Sequence, residues 1–213
     1  MKVFFDTEFT GLHKNTTLIS IGLIAENEET FYAEFTDYDR SQCDDWIKEN
    51  VLPNLYCVKE MNKPVPDNYH IGDKEYIRIL LSHWFIHFGE VELVSDVCHY
   101  DMVLLTDIFG GAFNMPNCVC SACHDINQDI AKYYNISMKD AFDKSREDIL
   151  KENNIVISGD KHNSLYDAKV IKAIYEIVSK GMISLRLDAL NMPTMINTNE
   201  DIKSLLQPYF ENE

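Results

Sequence analysis

The sequence predicts an α/β fold in which a sheet starts as an antiparallel meander and continues with strands alternating with helices. Three observations carry that prediction. Residues 17–25 (TLISIGLIA) form an almost wholly apolar run, the pattern of a strand buried on both faces. Residues 29–35 (ETFYAEF) alternate polar and apolar side chains, as a half-exposed strand does. Residues 73–88 place Tyr76, Ile77, Leu80, Leu81, Trp84, Phe85 and Phe88 at helical spacing.

In chain order, residues 2–9 (KVFFDTEF) make a first β-prone run, joined to the second strand by a glycine-containing loop. Glu26, Asn27 and Glu28 form a tight turn into the third strand. Residues 44–52 form a short helix stopped by Pro53, and the stretch through Pro64, Pro66 and Gly72 is a loop. Gly89 ends the amphipathic helix. A strand over 91–97, a helix over 100–109 closed by Gly110 and Gly111, a short strand over 118–123 and a helix starting near Asp125 follow. The last strong helix spans 164–180, capped by Ser164 and ended by Gly181. Residues 1–181 are read as one domain and 182–213 as its C-terminal extension.

The 213 residues, 46% of them hydrophobic, suffice for one sizeable core. No stretch reaches the roughly 18 consecutive apolar residues of a membrane span, and Asp6 and Glu8 interrupt the N-terminal run too early for a signal peptide. These features predict a cytoplasmic protein with no membrane partner. The net charge of −16 opposes a broad nucleic-acid-coating role. Seven basic residues between Lys139 and Lys172 make that segment locally neutral, which allows a short substrate track.

Asp6 and Glu8 carry the chemistry. Two apart on one strand, they share a face, where like charges repel unless a cation stands between them. An exposed edge strand is the bland alternative; a divalent metal site is the sharp one. Asp101 begins a helix just beyond a strand, with Asp96 as a competing carboxylate. His162 and Asp167 bracket the start of the last helix in HNSLYDA. Together these are the carboxylates and base of metal-assisted phosphodiester hydrolysis, since Mg²⁺ takes oxygen ligands and a neutral histidine can accept a proton from water.

DTEFTGL at residues 6–12 resembles the first motif, D-x-E-T-T-G-L, of the DEDDh 3′-to-5′ exonucleases. YDMVLL at 100–105 is similar to their second motif, and HNSLYDA to their third, H-x4-D. FFDTEF, LISIGLIA and WIKENVLPNL look most like the small mycobacterial-type exoribonucleases. The resemblance implies an RNase H-like fold with a mixed five-stranded sheet flanked by helices, two Mg²⁺ or Mn²⁺ ions, and 3′-to-5′ exonuclease activity on RNA or single-stranded 3′ ends. It implies Asp6, Glu8, Asp101 and Asp167 as metal ligands, His162 as general base, and Thr7, Gly11 and Leu12 as contacts to the terminal nucleotide. A homodimer is expected from the same resemblance. Departures are Phe9 in place of the usual Thr, and Asp96-Val97 where many relatives carry His-Asn.

The acidic surface favours short oligonucleotides as substrates. Hydrolysis of dinucleotides or cyclic nucleotides is the second enzymatic reading, and a non-catalytic binding module the reading from another class. Cys118, Cys120, Cys123 and His124 either hold a structural zinc or are reduced thiols packed on a strand and loop.

Overall fold

The computed structural model describes residues 1–58 and 65–189. Inter-residue contacts separate a unit Met1–Val178 from a unit Ser179–Glu213. The fold is the predicted α/β type, and its sheet contains six strands rather than five, in the order β4-β3-β2-β1-β5-β6. β1 (Lys2–Phe9), β2 (Leu18–Ala25) and β3 (Thr30–Phe35) form the expected antiparallel meander, and β5 (Val91–Ser95) and β6 (Val119–Asp125) extend it in parallel. The additional strand, β4 (Tyr69–Gly72), lies in the stretch read as loop and pairs parallel to β3. Four residues at a sheet edge need only backbone partners, so no side-chain alternation announces them.

Alternation along β1 divides the core. Val3 and Phe5 face Ile77, Leu81 and Phe85 of α2 (Lys74–Phe88) and Leu105 of α3 (Cys98–Ile108). Phe4 faces the opposite layer, built by α4 (Asn127–Tyr134), α5 (Met138–Asp143), α6 (Arg146–Glu152) and α7 (Ser164–Ala189). A third, smaller cluster joins Ile19 to Ile47 of the short helix α1 (Asp45–Asn50) and to Val51 and Leu55. No described helix is long and apolar enough to cross a membrane.

Several boundaries differ from the expectations for local reasons. β5 stops at Ser95 because Val97 takes a left-handed conformation, φ 58°, and α3 begins directly after it. β6 continues to Asp125. α1 ends at Asn50, and Pro53 belongs to a separate 3-10 turn, Leu52–Asn54. α7 passes through Gly181 to Ala189, since a single glycine costs a helix only about 1 kcal/mol. Its cap is Asn163, whose Oδ1 accepts from the Tyr166 amide at 3.3 Å, while the Ser164 hydroxyl meets that of Ser20 at 2.9 Å. The reading of 182–213 as an extension falls mainly on residues 190–213, outside the described set, as does Pro64.

β3 is the main departure from the periodicity. It is buried on both faces, and Glu34, expected to be solvated, is only 1% exposed. The carboxylate accepts from the hydroxyls of Tyr32 (3.0 Å) and Tyr69 (3.1 Å) and from the amides of Tyr56 (2.5 Å) and Cys57 (3.1 Å). Those bonds satisfy a charge that would otherwise be costly to bury, and they tie the segment after α1 to the sheet.

Candidate active site

Cross-strand register assembles the site. On the face covered by α7, Asp6 lies beside Gly22 and then Tyr32, and Glu8 beside Ser20 and then Glu34. Gly22 has no side chain, and this allows the backbone of Ser164 and Leu165 to rest on the sheet there; a Cβ at Gly22 would lie 2.2 Å from the Leu165 nitrogen. The start of α7 is thereby seated next to the two strand acids. Asn163 completes the seat by donating from Nδ2 to the Tyr32 hydroxyl (3.2 Å) and the Asn54 carbonyl (3.0 Å).

The ligand atoms of Glu8, His162 and Asp167 all lie within 4.8 Å of one another, the sole such group of three or more metal-binding side chains among the described residues. His162 adopts φ 62°, and its amide donates to Asp167 Oδ2 at 2.9 Å. The Trp46 ring meets the imidazole edge-on, with centroids 5.0 Å apart. Asp6, Glu8, His162 and Asp167 line one cleft of about 270 Å³, together with Asp96, Arg146, Glu147 and Lys161.

Asp101 stands apart from that lining. It is 3% exposed, and its carboxylate accepts from the Thr7 amide (3.1 Å), the Thr7 hydroxyl (2.5 Å) and the Ser95 hydroxyl. Asp96, the competing acid, is gripped by the Arg146 guanidinium at 2.6 and 2.9 Å and accepts from Asn127 at 2.7 Å. Asp101 therefore lies under β1, while Asp96 serves as a counter-ion at the rim. Gly11 and Leu12 border a separate groove of about 550 Å³ with Phe9, His13, Tyr100 and Val103. Of the nucleotide contacts expected from the sequence, Thr7 alone reaches the cleft.

Burial and mutual repulsion dominate the electrostatics. Asp6 is held well above the usual carboxylate range by burial first, then by the charges of Asp101, Asp167 and Glu8. Glu8 is raised by burial, then by Asp167 and Asp101. Burial lifts Asp101 to about 7 against the opposing hydrogen bonds from Ser95 and Thr7, and lifts Asp167 to about 7 against that from the His162 amide. His162 is shifted down, by burial and then by the neighbouring Lys161 charge, so its imidazole is neutral at neutral pH.

Arg146, Glu147 and Lys161 were not singled out individually from the sequence. Arg146 and Lys161 belong to the basic segment noted there, but Arg146 meets Asp96 across 50 positions, a pairing no local pattern reveals. Pairing also consumes most of that segment: Lys139 with Asp143, Lys144 with Glu152, Lys161 with Glu147 and Lys172 with Glu176. Nor do the four soft ligands converge. Cys120 is exposed, His124 pairs with Asp129, and these four side chains do not form a group with their ligand atoms within 4.8 Å of one another. Cys118 and Cys123 pack against the core as thiols would, whereas Cys120, expected to pack with them, is exposed because its side chain points away from that core.

No family model matches the chain. Over 130 residues it is 30% identical to a 3′-5′ exoribonuclease of Mycobacterium tuberculosis, present in two strains, and the match spans 60% of this chain and 73% of the relative. The nuclease domain of 3′hExo, a DEDDh family member bound to rAMP, superposes with a TM-score of 0.61 at 14% identity, covering 84% of this chain and 91% of that one. The Mg²⁺- and Mn²⁺-bound form of S. pombe Pop2p gives a TM-score of 0.53 at 18% identity, covering 84% and 83%. The two superpositions establish the exonuclease fold. With that fold, and with 30% identity across 73% of the mycobacterial enzyme, the chain belongs to the 3′-5′ exoribonuclease family.

Proposed function

We propose that this chain removes nucleotides from the 3′ end of RNA or single-stranded nucleic acid by metal-dependent phosphodiester hydrolysis. The observation that carries the reading is the convergence of Glu8, His162 and Asp167 within 4.8 Å, beside Asp6 in one cleft. Asp6 and Glu8, whose proton affinity is raised by burial and by the charges of Asp167 and Asp101, stand with those two acids as a cation site by their chemistry: hard oxygen donors drawn together in one place. Asp6, Glu8 and Asp167, with Asp101 behind them, would hold two Mg²⁺ or Mn²⁺ ions. Bound there, the ions neutralise phosphate charge and acidify a water.

The protein's own groups supply the rest. His162, neutral and facing the cleft, accepts the proton of the attacking water at a ring nitrogen. The His162 amide bond to Asp167 and the edge contact with Trp46 orient the imidazole. Thr7 fixes Asp101 through both its amide and its hydroxyl. A cleft of about 270 Å³ in a chain of net charge −16 suits a few terminal nucleotides better than a long duplex.

The test is a gel time course on 5′-labelled single-stranded RNA, matched DNA, and a partial duplex with a 3′ overhang, in Mg²⁺, Mn²⁺ or EDTA. A ladder shortening from the 3′ end only with metal is expected. No ladder on any of them would direct attention to dinucleotides and cyclic nucleotides. His162→Ala is expected to lower kcat by about 10²- to 10⁴-fold and to retain metal affinity by calorimetry. Loss of metal binding in that variant alone would reverse the assignment of roles.

A further inference from the structure

We propose that Lys161 binds a backbone phosphate of the substrate in this cleft, with Glu147 as its resting partner. The inference rests on the exonuclease reading above and adds the residue that meets the substrate's charge.

Among the described residues, Arg146 and Lys161 are the cations lining the cleft, against Asp6, Glu8, Asp96, Glu147 and Asp167. Arg146 looks like the natural phosphate ligand, yet its donors are spent. A guanidinium has five N–H groups. Nε and one Nη2 hydrogen go to Asp96 (2.6 and 2.9 Å), the other Nη2 hydrogen to Asn127 Oδ1 (2.6 Å), and Nη1 to the carbonyls of Ala141 (2.9 Å) and Lys144 (2.6 Å). Arg146 therefore joins α4, α5 and α6 to the end of β5, and it could reach a phosphate only by breaking those bonds.

Lys161 is built differently. Its carbonyl accepts from Asn54 Nδ2 at 2.8 Å, which fixes its backbone next to His162. Its ammonium is 2.7 Å from Glu147, with side-chain exposures of 58% and 49%. An exposed pair of this kind contributes about 0–1 kcal/mol, so exchanging the carboxylate for a phosphate costs little. The ammonium has three donors on a flexible stem and needs no fixed fork. A fixed base with an exchangeable tip is what a phosphate contact at the mouth of an acidic cleft requires. Glu147 shields the charge until substrate arrives.

The experiment measures kcat and KM on single-stranded RNA in Mg²⁺ at about pH 8, where His162 is neutral with or without Lys161, over roughly 50–200 mM salt. Lys161→Ala is expected to raise KM about tenfold and change kcat less than about threefold, one charge-assisted hydrogen bond being of that order. The slope of log kcat/KM against log salt should flatten by roughly 0.7, the contribution of one phosphate contact on a single strand. Glu147→Gln should lower KM severalfold. An unchanged KM and salt slope in Lys161→Ala, or a higher KM in Glu147→Gln, overturns the assignment while leaving the exonuclease in place. A wild-type protein with no metal-dependent hydrolysis overturns the exonuclease reading, and the Lys161 assignment with it.

Discussion

Asp6→Asn is expected to reduce hydrolysis by on the order of a thousandfold or more and, in the same protein, to raise the melting temperature of the metal-free chain. The two effects share one cause. Asp6 is half-buried in the cleft beside Asp101, Asp167 and Glu8, so its ionised form is unfavourable until a cation compensates it. Asparagine keeps the shape and removes the charge, which relieves the fold and empties the site of an anionic ligand. Thermal melts in EDTA and a gel assay in Mg²⁺ check both halves. An Asp6→Asn protein that is less stable than wild type without metal would show that the acids are not in conflict.

The same cluster gives the metal-free protein an inverted pH dependence. Asp101 and Asp167 titrate at about 7 in the folded state against 3.8 ordinarily. Below the lower value both folded and unfolded chains are protonated, and the site carries no penalty. Between 3.8 and about 7 the unfolded chain releases protons that the folded chain keeps, so stability falls as pH rises, each carboxyl costing about 1.4 kcal/mol per pH unit crossed. Above that window the penalty is complete. Melting temperatures in EDTA should therefore decline from about pH 5 to 8, and divalent cations should reverse the decline. A flat or rising profile would contradict this account.

Gly22→Ala is expected to destabilise the protein by about 3 kcal/mol or more and to cost on the order of a hundredfold in kcat in whatever protein still folds. The added methyl would sit 2.2 Å from the Leu165 nitrogen and 2.3 Å from the Ser164 carbonyl carbon, and backbone cannot swing aside as a side-chain tip can. The start of α7 must lift, straining the Ser20–Ser164 and Asn163–Tyr32 hydrogen bonds. His162 and Asp167 bracket that point, so a shift of about 1 Å there misplaces the base and one carboxylate together. Circular dichroism melts beside activity measured well below the transition separate the two effects. Full activity at wild-type stability would refute the close-approach argument.

Much of this was legible in the residues themselves. The double burial of β2, the amphipathic face of α2 and the pairing of Asp6 with Glu8 follow from side-chain periods of 2 and 3.6, which chain geometry sets within a few residues. The roles expected of His162 and Asp167 came from motif likeness, and the structure brings both to Glu8. Tertiary structure alone decided which polar groups are buried, paired or available. Glu34 reads as a solvated strand position until Tyr56, Cys57 and Tyr69 close over it. Spacing leaves Asp96 in competition with Asp101, the acid of the second motif; in the fold Arg146 neutralises Asp96, and Thr7 and Ser95 seat Asp101 beneath β1. Lys161 is one of seven basic residues in its segment until packing shows that Arg146 is saturated. Periodicity is a property of a segment, whereas hydrogen-bond satisfaction depends also on partners remote in the chain, such as Asp101 for Thr7 94 positions away, and only the folded chain supplies them.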